Sequence, residues 1–261
     1  MFDYHMHSSV SFDADEPAAA MVAVAEKAGL LEICFTDHYD YNDLQPDQLD
    51  AYTLDRYKAA YEPLKSDRVK IRRGVEFGLT HWNMPNFRQV TAAYDYDFVM
   101  GSVHYAGGSD PYFPEFWAGI SPEAAFEKYL LQALKCVKLH EGFDVLGHLN
   151  YACKSVNNPT KKPLYYKVFP DICDEIMKTL VEKGIGMEIN TSGVDRVGDF
   201  LPSIDFIKRF RELGGEIVTV GSDAHGSSRV GQHIDGALAI AKEVFGYVCT
   251  FENRKPIFHK L

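Results

Sequence analysis

Short apolar or β-branched runs alternate along this chain with longer amphipathic segments, and this alternation constrains the fold more than any other feature. A strand, a helix and another strand in succession predict parallel strands with helices packed outside them. Seven runs read as strands: Phe2 to Met6, Glu32 to Thr36, Val69 to Phe77, Phe98 to His104, Val145 to His148, Gly186 to Asn190 and Glu216 to Ser222. Helices are expected over Pro17 to Ala28, with Pro at the start and Gly29 placed to stop it, and near Leu54 to Leu64 after a polar, Asp- and Tyr-rich loop. Further helices are expected over Glu123 to Glu141, capped by Ser121 with Pro122 at the first position, and near Tyr165 to Glu182, Ser203 to Leu213 and Asp235 to Phe245. The reading is α/β: a distorted (β/α)7 TIM-like barrel, in one domain spanning residues 1–261.

Composition limits what such a barrel can do. With 46% hydrophobic and 13% aromatic residues, the chain can bury a large core. A formal net charge of −10 argues against nonspecific binding to nucleic acid or anionic membrane, which relies on Lys and Arg, but leaves a phosphorylated small molecule open. The longest apolar run, Ala18 to Ala25, ends at Glu26 and Lys27, far short of a membrane span. The opening MFDYHMHSS has neither a basic nor an apolar leader region, and five scattered cysteines form no C-x-x-C pair, so a cytoplasmic place with buried thiols is expected.

Barrel enzymes of this kind keep their chemistry where strands end and loops begin. Reactive residues collect at those positions: His5 and His7, Asp37 and His38, Glu76, His104, His148, and Asp223 with His225. His5 and His7 are two apart, so on an extended strand both rings project from one face. A lone strand histidine is ordinarily a hydrogen-bonded residue, not a ligand. Here six of ten histidines fall on the expected rim, while His81, His140, His233 and His259 lie in loops, helices or the tail. Imidazole and carboxylate without thiolate select Zn2+, Mn2+ or Fe2+, and nine candidate ligands exceed what one ion would take.

The ordered set DYHMHSSVSFD, ICFTDH, GVEFG, GSVH, GHLN, EINTSG and GSDAHG resembles the polymerase-and-histidinol-phosphatase (PHP) superfamily nearly end to end. The EINTSG run, the spacing after GSDAHG and the lack of an appended domain look like its histidinol-phosphate phosphatase branch. Asn150 stands in GHLN where that branch often carries Asp. The resemblance implies a trinuclear centre: His5, His7, Glu76 and Asp223 on the first metal, Glu76, His104 and His148 on the second, and Asp13, His38 and His225 on the third. Asp15 is the alternative to Asp13. The implied reaction is hydrolysis of L-histidinol phosphate by a metal-bridging hydroxide held by Glu76, with His38 or Asp37 as candidate auxiliary groups and Asp37 also as a group that orients a ligand. Phosphotyrosine, sugar-phosphate or nucleotide substrates are the alternatives, and after them a metal-binding domain without catalysis.

Phosphate needs cations beyond the metals. Arg196, past the sixth strand, is the first candidate, followed by Lys154 and Arg229, with a solvated loop charge as the alternative for each. Ser102 beside His104 is a candidate donor to phosphate or to nearby backbone. The aromatic segment from Tyr105 to Trp117 reads as a loop packed on the rim, with a substrate-covering role as its alternative.

Overall fold

The computed structural model describes residues 1–40 and 52–261. Its main sheet is built from β1 (Phe2–Asp3), β2 (Glu32–Phe35), β3 (His38–Tyr39), β4 (Lys70–Gly78), β5 (Phe98–Ser102), β6 (Val145–Leu146), β7 (Gly186–Asn190) and β8 (Val218–Gly221). The order is β1-β2-β4-β5-β6-β7-β8, with β3 pairing the far end of β4, and every pairing is parallel. A Met6 to Ala224 bridge joins the two edges, beside hydrogen bonds from Tyr4 N to Val220 O (2.9 Å) and His7 N to Ala224 O (2.8 Å). The result is the expected distorted barrel, nearly closed. The Asp- and Tyr-rich loop falls largely on residues 41–51, outside the described residues.

Several strands stop short of the runs that predicted them, and the reason is visible in their amide partners. Met6 N donates to Thr36 Oγ1 (3.2 Å), Ser8 N to Asp37 Oδ1 (2.8 Å) and His148 N to Glu188 Oε2 (2.8 Å). Side chains take over the ladder at the rim, so the backbone is free to turn its reactive residues inward.

The outer layer follows from spacing and capping. Helix Pro122–Leu139 is capped by Ser121 Oγ accepting from Ala124 N (3.2 Å), and buries Ala125, Phe126, Tyr129, Leu130, Ala133, Cys136 and Val137 along one face. The next helix, expected from Tyr165, begins at Pro170 and runs to Lys183. Phe169 before that proline has ψ 59°, outside the helical region, and Tyr166–Val168 forms only a 3-10 turn. Helix Met84–Ala92 was not anticipated.

The tail also differs: β9 (Tyr247–Glu252) and β10 (Lys255–Lys260) form an antiparallel hairpin, so His259 lies in a strand. Its turn residues Asn253 and Arg254 both have positive φ (49° and 64°). The hairpin covers the N-terminal mouth of the barrel: Phe251 N donates to Tyr4 Oη (2.9 Å) and Arg254 N to Asp97 O (2.9 Å). All five cysteines are buried free thiols, and no described helix is long and apolar enough to cross a membrane.

Candidate metal centre

At the opposite, C-terminal mouth, side chains from separate strands meet in three groups. In the first, His5 Nε2 and His7 Nε2 lie 3.1 Å apart. Glu76 Oε2 is 3.3 and 3.5 Å from them, and Asp223 Oδ1 is 3.6 and 3.4 Å from them. In the second, Glu76 turns its other oxygen, Oε1, to His104 Nε2 (3.3 Å) and His148 Nε2 (2.8 Å), which are 3.5 Å from each other. The third joins His38 Nε2, His225 Nε2 and Asp13 Oδ2 at separations of 3.1 to 3.6 Å. His38 bridges groups, since its Nδ1 sits 2.9 Å from Glu76 Oε2. Asp13 rather than Asp15 therefore faces the histidines.

Donors about 2.0–2.1 Å from a tetrahedral ion stand about 3.3–3.4 Å from one another, and the first group matches that cage. Buried orphan atoms agree: Glu76 Oε1 and Oε2 have no hydrogen bond of acceptable geometry among the described residues. The donor set fits divalent cations. Its backbone is strained to make this set, for Asp223 is a non-glycine residue at φ 55°.

Burial opposes charging these imidazoles, yet Glu188, Glu76 and Asp223 raise His5 well above the ordinary range, and Asp13 and Glu76 do the same for His38. His104, desolvated but faced by Asp40 and Glu76, is pushed up to about 10. His7 goes the other way, because His225 and His38 add to burial, and burial also lowers His148. Burial alone would raise Glu76, Asp223 and Asp13, but neighbouring cationic groups hold all three carboxyls well below the usual range. Protons thus balance these carboxylates, and a metal binding there must displace them.

The centre opens into a cavity of about 560 Å³. Lys154, Arg196 and Arg229 all line it. Lys154 Nζ pairs with Asp223 Oδ2, and Arg229 Nη1 pairs with Asp195 Oδ2 (3.2 Å). Two sequence-based candidates lie elsewhere. Ser102 is buried beneath Gly147 and does not line the cavity, and its Oγ has no described partner. Asp37 faces the loop of residues 8–11, accepting from Ser8 N, Ser11 Oγ (3.0 Å) and Tyr61 Oη, so it is a support and not a group in contact with the cavity. Asn150 is buried, donating to Leu164 O (3.1 Å). The aromatic segment is divided: Trp117 packs against the barrel and donates to Pro111 O (2.8 Å), while Tyr105, Tyr112 and Phe113 border the cavity.

A sequence profile of the PHP domain matches residues 3–192. The chain belongs to the PHP domain family. A histidinol-phosphatase of Lactococcus lactis is 31% identical, covering 97% of this chain and 95% of its own length. A probable histidinol-phosphatase of Clostridium acetobutylicum is 29% identical over 99% of this chain and 96% of its own. Among solved structures, the histidinol phosphate phosphatase of Lactococcus lactis in complex with zinc, L-histidinol and phosphate superposes with a TM-score of 0.80 at 28% identity, covering 98% of each chain.

Two carboxylates of this PHP domain escaped the sequence analysis. Glu188, fully buried on β7, accepts from His5 Nδ1 (2.8 Å) and His148 N (2.8 Å), and so aims the Nε2 of His5 at the first group. Asp40 meets His104 Nδ1 at 2.9 Å and His38 Nδ1 at 3.3 Å. A charged residue inside the otherwise uncharged GMEIN run was the available signal for Glu188. For Asp40 there was none beyond its nearness to His38.

Proposed function

We propose that this PHP domain, taken as one unit over residues 1–261, is a metal-dependent phosphomonoesterase that hydrolyses L-histidinol phosphate to L-histidinol and phosphate. The reaction belongs to histidine biosynthesis and to the cytoplasm. The observation that carries the reading is the meeting of nine imidazole and carboxylate donors, in three groups linked through Glu76 and His38, beside a cavity bearing three cationic side chains. Relatives that cover the chain nearly end to end carry the matching name.

In this reading His5, His7, Glu76 and Asp223 hold one ion, Glu76, His104 and His148 a second, and Asp13, His38 and His225 a third. Bound Mn2+, Zn2+ or Fe2+ would ionise water near neutral pH, supplying the hydroxide nucleophile, and would offset charge on the phosphoryl oxygens. Glu76 keeps two groups in register because each of its oxygens faces a different set of imidazoles. Glu188 and Asp40 fix the orientation of His5 and His104 through the ring nitrogens that face away from their groups. Arg196, Lys154 and Arg229 receive the phosphate and stabilise charge as the ester bond breaks. Asp37 supports His7 through Ser11, whose Oγ lies 3.0 Å from His7 Nδ1.

The test is a substrate ranking. Metal-loaded enzyme should turn over L-histidinol phosphate with kcat/KM at least about 100-fold above p-nitrophenyl phosphate and nucleotides, the scale of discrimination that a few polar contacts provide. The reverse ranking rejects the substrate, and no phosphatase activity after Mn2+ or Zn2+ addition rejects the enzyme.

A further inference from the structure

The cavity is polarised in a way that phosphate alone does not require. Lys154, Arg196 and Arg229 carry positive charge into it, while Asp110 and Asp40 put carboxylates on its lining. Asp40 is engaged by the imidazoles of His104 and His38. Asp110 touches no metal-facing side chain by hydrogen bond, and an anion there would repel the phosphate.

We propose that Asp110 reads the alcohol half of the substrate, its carboxylate receiving the ammonium or protonated imidazole of an amino-alcohol phosphate. The proposal rests on the phosphomonoesterase reading above and adds to it a residue that selects among phosphomonoesters.

Tyr151 separates the two kinds of charge. Its hydroxyl donates to Asp110 Oδ1 (3.2 Å), Lys154 Nζ lies 5.2 Å over its ring, and the ring sits 5.0 Å from that of His104 and 5.3 Å from that of His148. One aromatic side chain therefore spans from the cationic wall past the centre to Asp110. A substrate with phosphate at the cations would extend its other end along Tyr151 toward the carboxylate.

Asp110 is also held in place. Its Oδ1 accepts from Tyr112 N (2.7 Å), Trp117 Nε1 donates to Pro111 O (2.8 Å), and Asn157 Nδ2 donates to Tyr112 O (2.6 Å). Both hydrogen bonds that the Asp110 carboxylate accepts from described residues fall on Oδ1, which leaves Oδ2 for a cation. Tyr112 and Phe113 flank it at the cavity edge, 51% and 40% exposed, and offer apolar faces to a flat, charged ring.

The experiment compares wild type with Asp110→Asn, which keeps the side-chain shape and the Tyr112 contact. Two substrates are used: L-histidinol phosphate, with a cationic alcohol half, and p-nitrophenyl phosphate, whose alcohol half is neutral. Competitive inhibition by L-histidinol and by inorganic phosphate is measured on both proteins, with thermal denaturation as the check on folding. The preference for L-histidinol phosphate in kcat/KM should fall about tenfold in the variant, mainly through KM, and inhibition by L-histidinol should weaken about tenfold more than inhibition by phosphate. An unchanged preference, or equal losses on both substrates and both inhibitors, overturns the role of Asp110 and leaves the phosphomonoesterase reading standing. A wild type without preference for L-histidinol phosphate overturns the substrate reading and this proposal with it.

Discussion

Glu188 lies one contact behind the proposed metal ligands. It is fully buried, and its two oxygens are used by His5 Nδ1, His148 N and Asn190 Nδ2 (3.1 Å). Replacing it with Gln keeps the volume and removes the charge that fixes the His5 ring. Metal affinity in Glu188→Gln should drop roughly 10–100-fold, as is usual when the partner of a ligating histidine is lost. Titration against a competing chelator reads this directly, and an affinity equal to wild type would exclude the orienting role. Asp223, held at φ 55° with its N–H on His5 O (2.8 Å), is the other residue where backbone geometry is spent on the site.

Between elements, a tight constraint lies where β8 passes β1 and β7. A Cβ at Gly221 would come within 2.3 Å of both His5 Cβ and Glu188 Oε1, so only glycine lets the strand end approach this closely. Gly221→Ala should cost on the order of 1–3 kcal/mol of stability and also weaken metal binding, because His5 or Glu188 must move. Gly29→Ala is the contrast: its φ is 70° but nothing lies within 4 Å of an added Cβ. That change should cost about 1–2 kcal/mol for the left-handed conformation and leave metal affinity alone. Denaturant midpoints together with metal content separate the two. If both variants behave alike, crowding at Gly221 is not what shapes the cage.

For the whole molecule, a proposed centre whose donors come from the ends of six strands would tie folding to cation binding. At a metal concentration about 100 times Kd, binding adds about 2.7 kcal/mol, which for a chain of this size raises Tm by roughly 5–10 °C over a chelator-treated sample. The pH dependence follows from the histidines. His5, His38 and His104 hold protons above the ordinary value of 6.5, His104 up to about 10. Groups with raised pKa stabilise the metal-free fold fully below 6.5 and lose that contribution as pH climbs toward about 10. Metal-free protein should therefore lose stability across that window, while apparent metal affinity rises because fewer protons must be displaced. Thermal scans with and without chelator from pH 6.5 to 10 test both halves, and a metal-free Tm that rises with pH would refute the charge balance described here.

What could be read from the chain alone were the properties that depend on local order. Strand and helix alternation follows from side-chain periodicity, the start of helix Pro122–Leu139 from Ser121 and Pro122, and the rim positions of His5, Glu76 and His148 from their place at the ends of apolar runs. The resemblance grouped nine residues that separate strands bring within a few ångströms of one another. Tertiary structure alone decided the rest, because those features depend on contacts between residues far apart in sequence. Glu188 meets His5 across 183 positions, Asp40 meets His104 across 64, and Tyr151 meets Asp110 across 41. Strand ends were misjudged for the same reason: hydrophobic pattern shows where a strand is favoured, but not where Thr36, Asp37 or Glu188 will supply the hydrogen bonds that let the backbone leave the ladder.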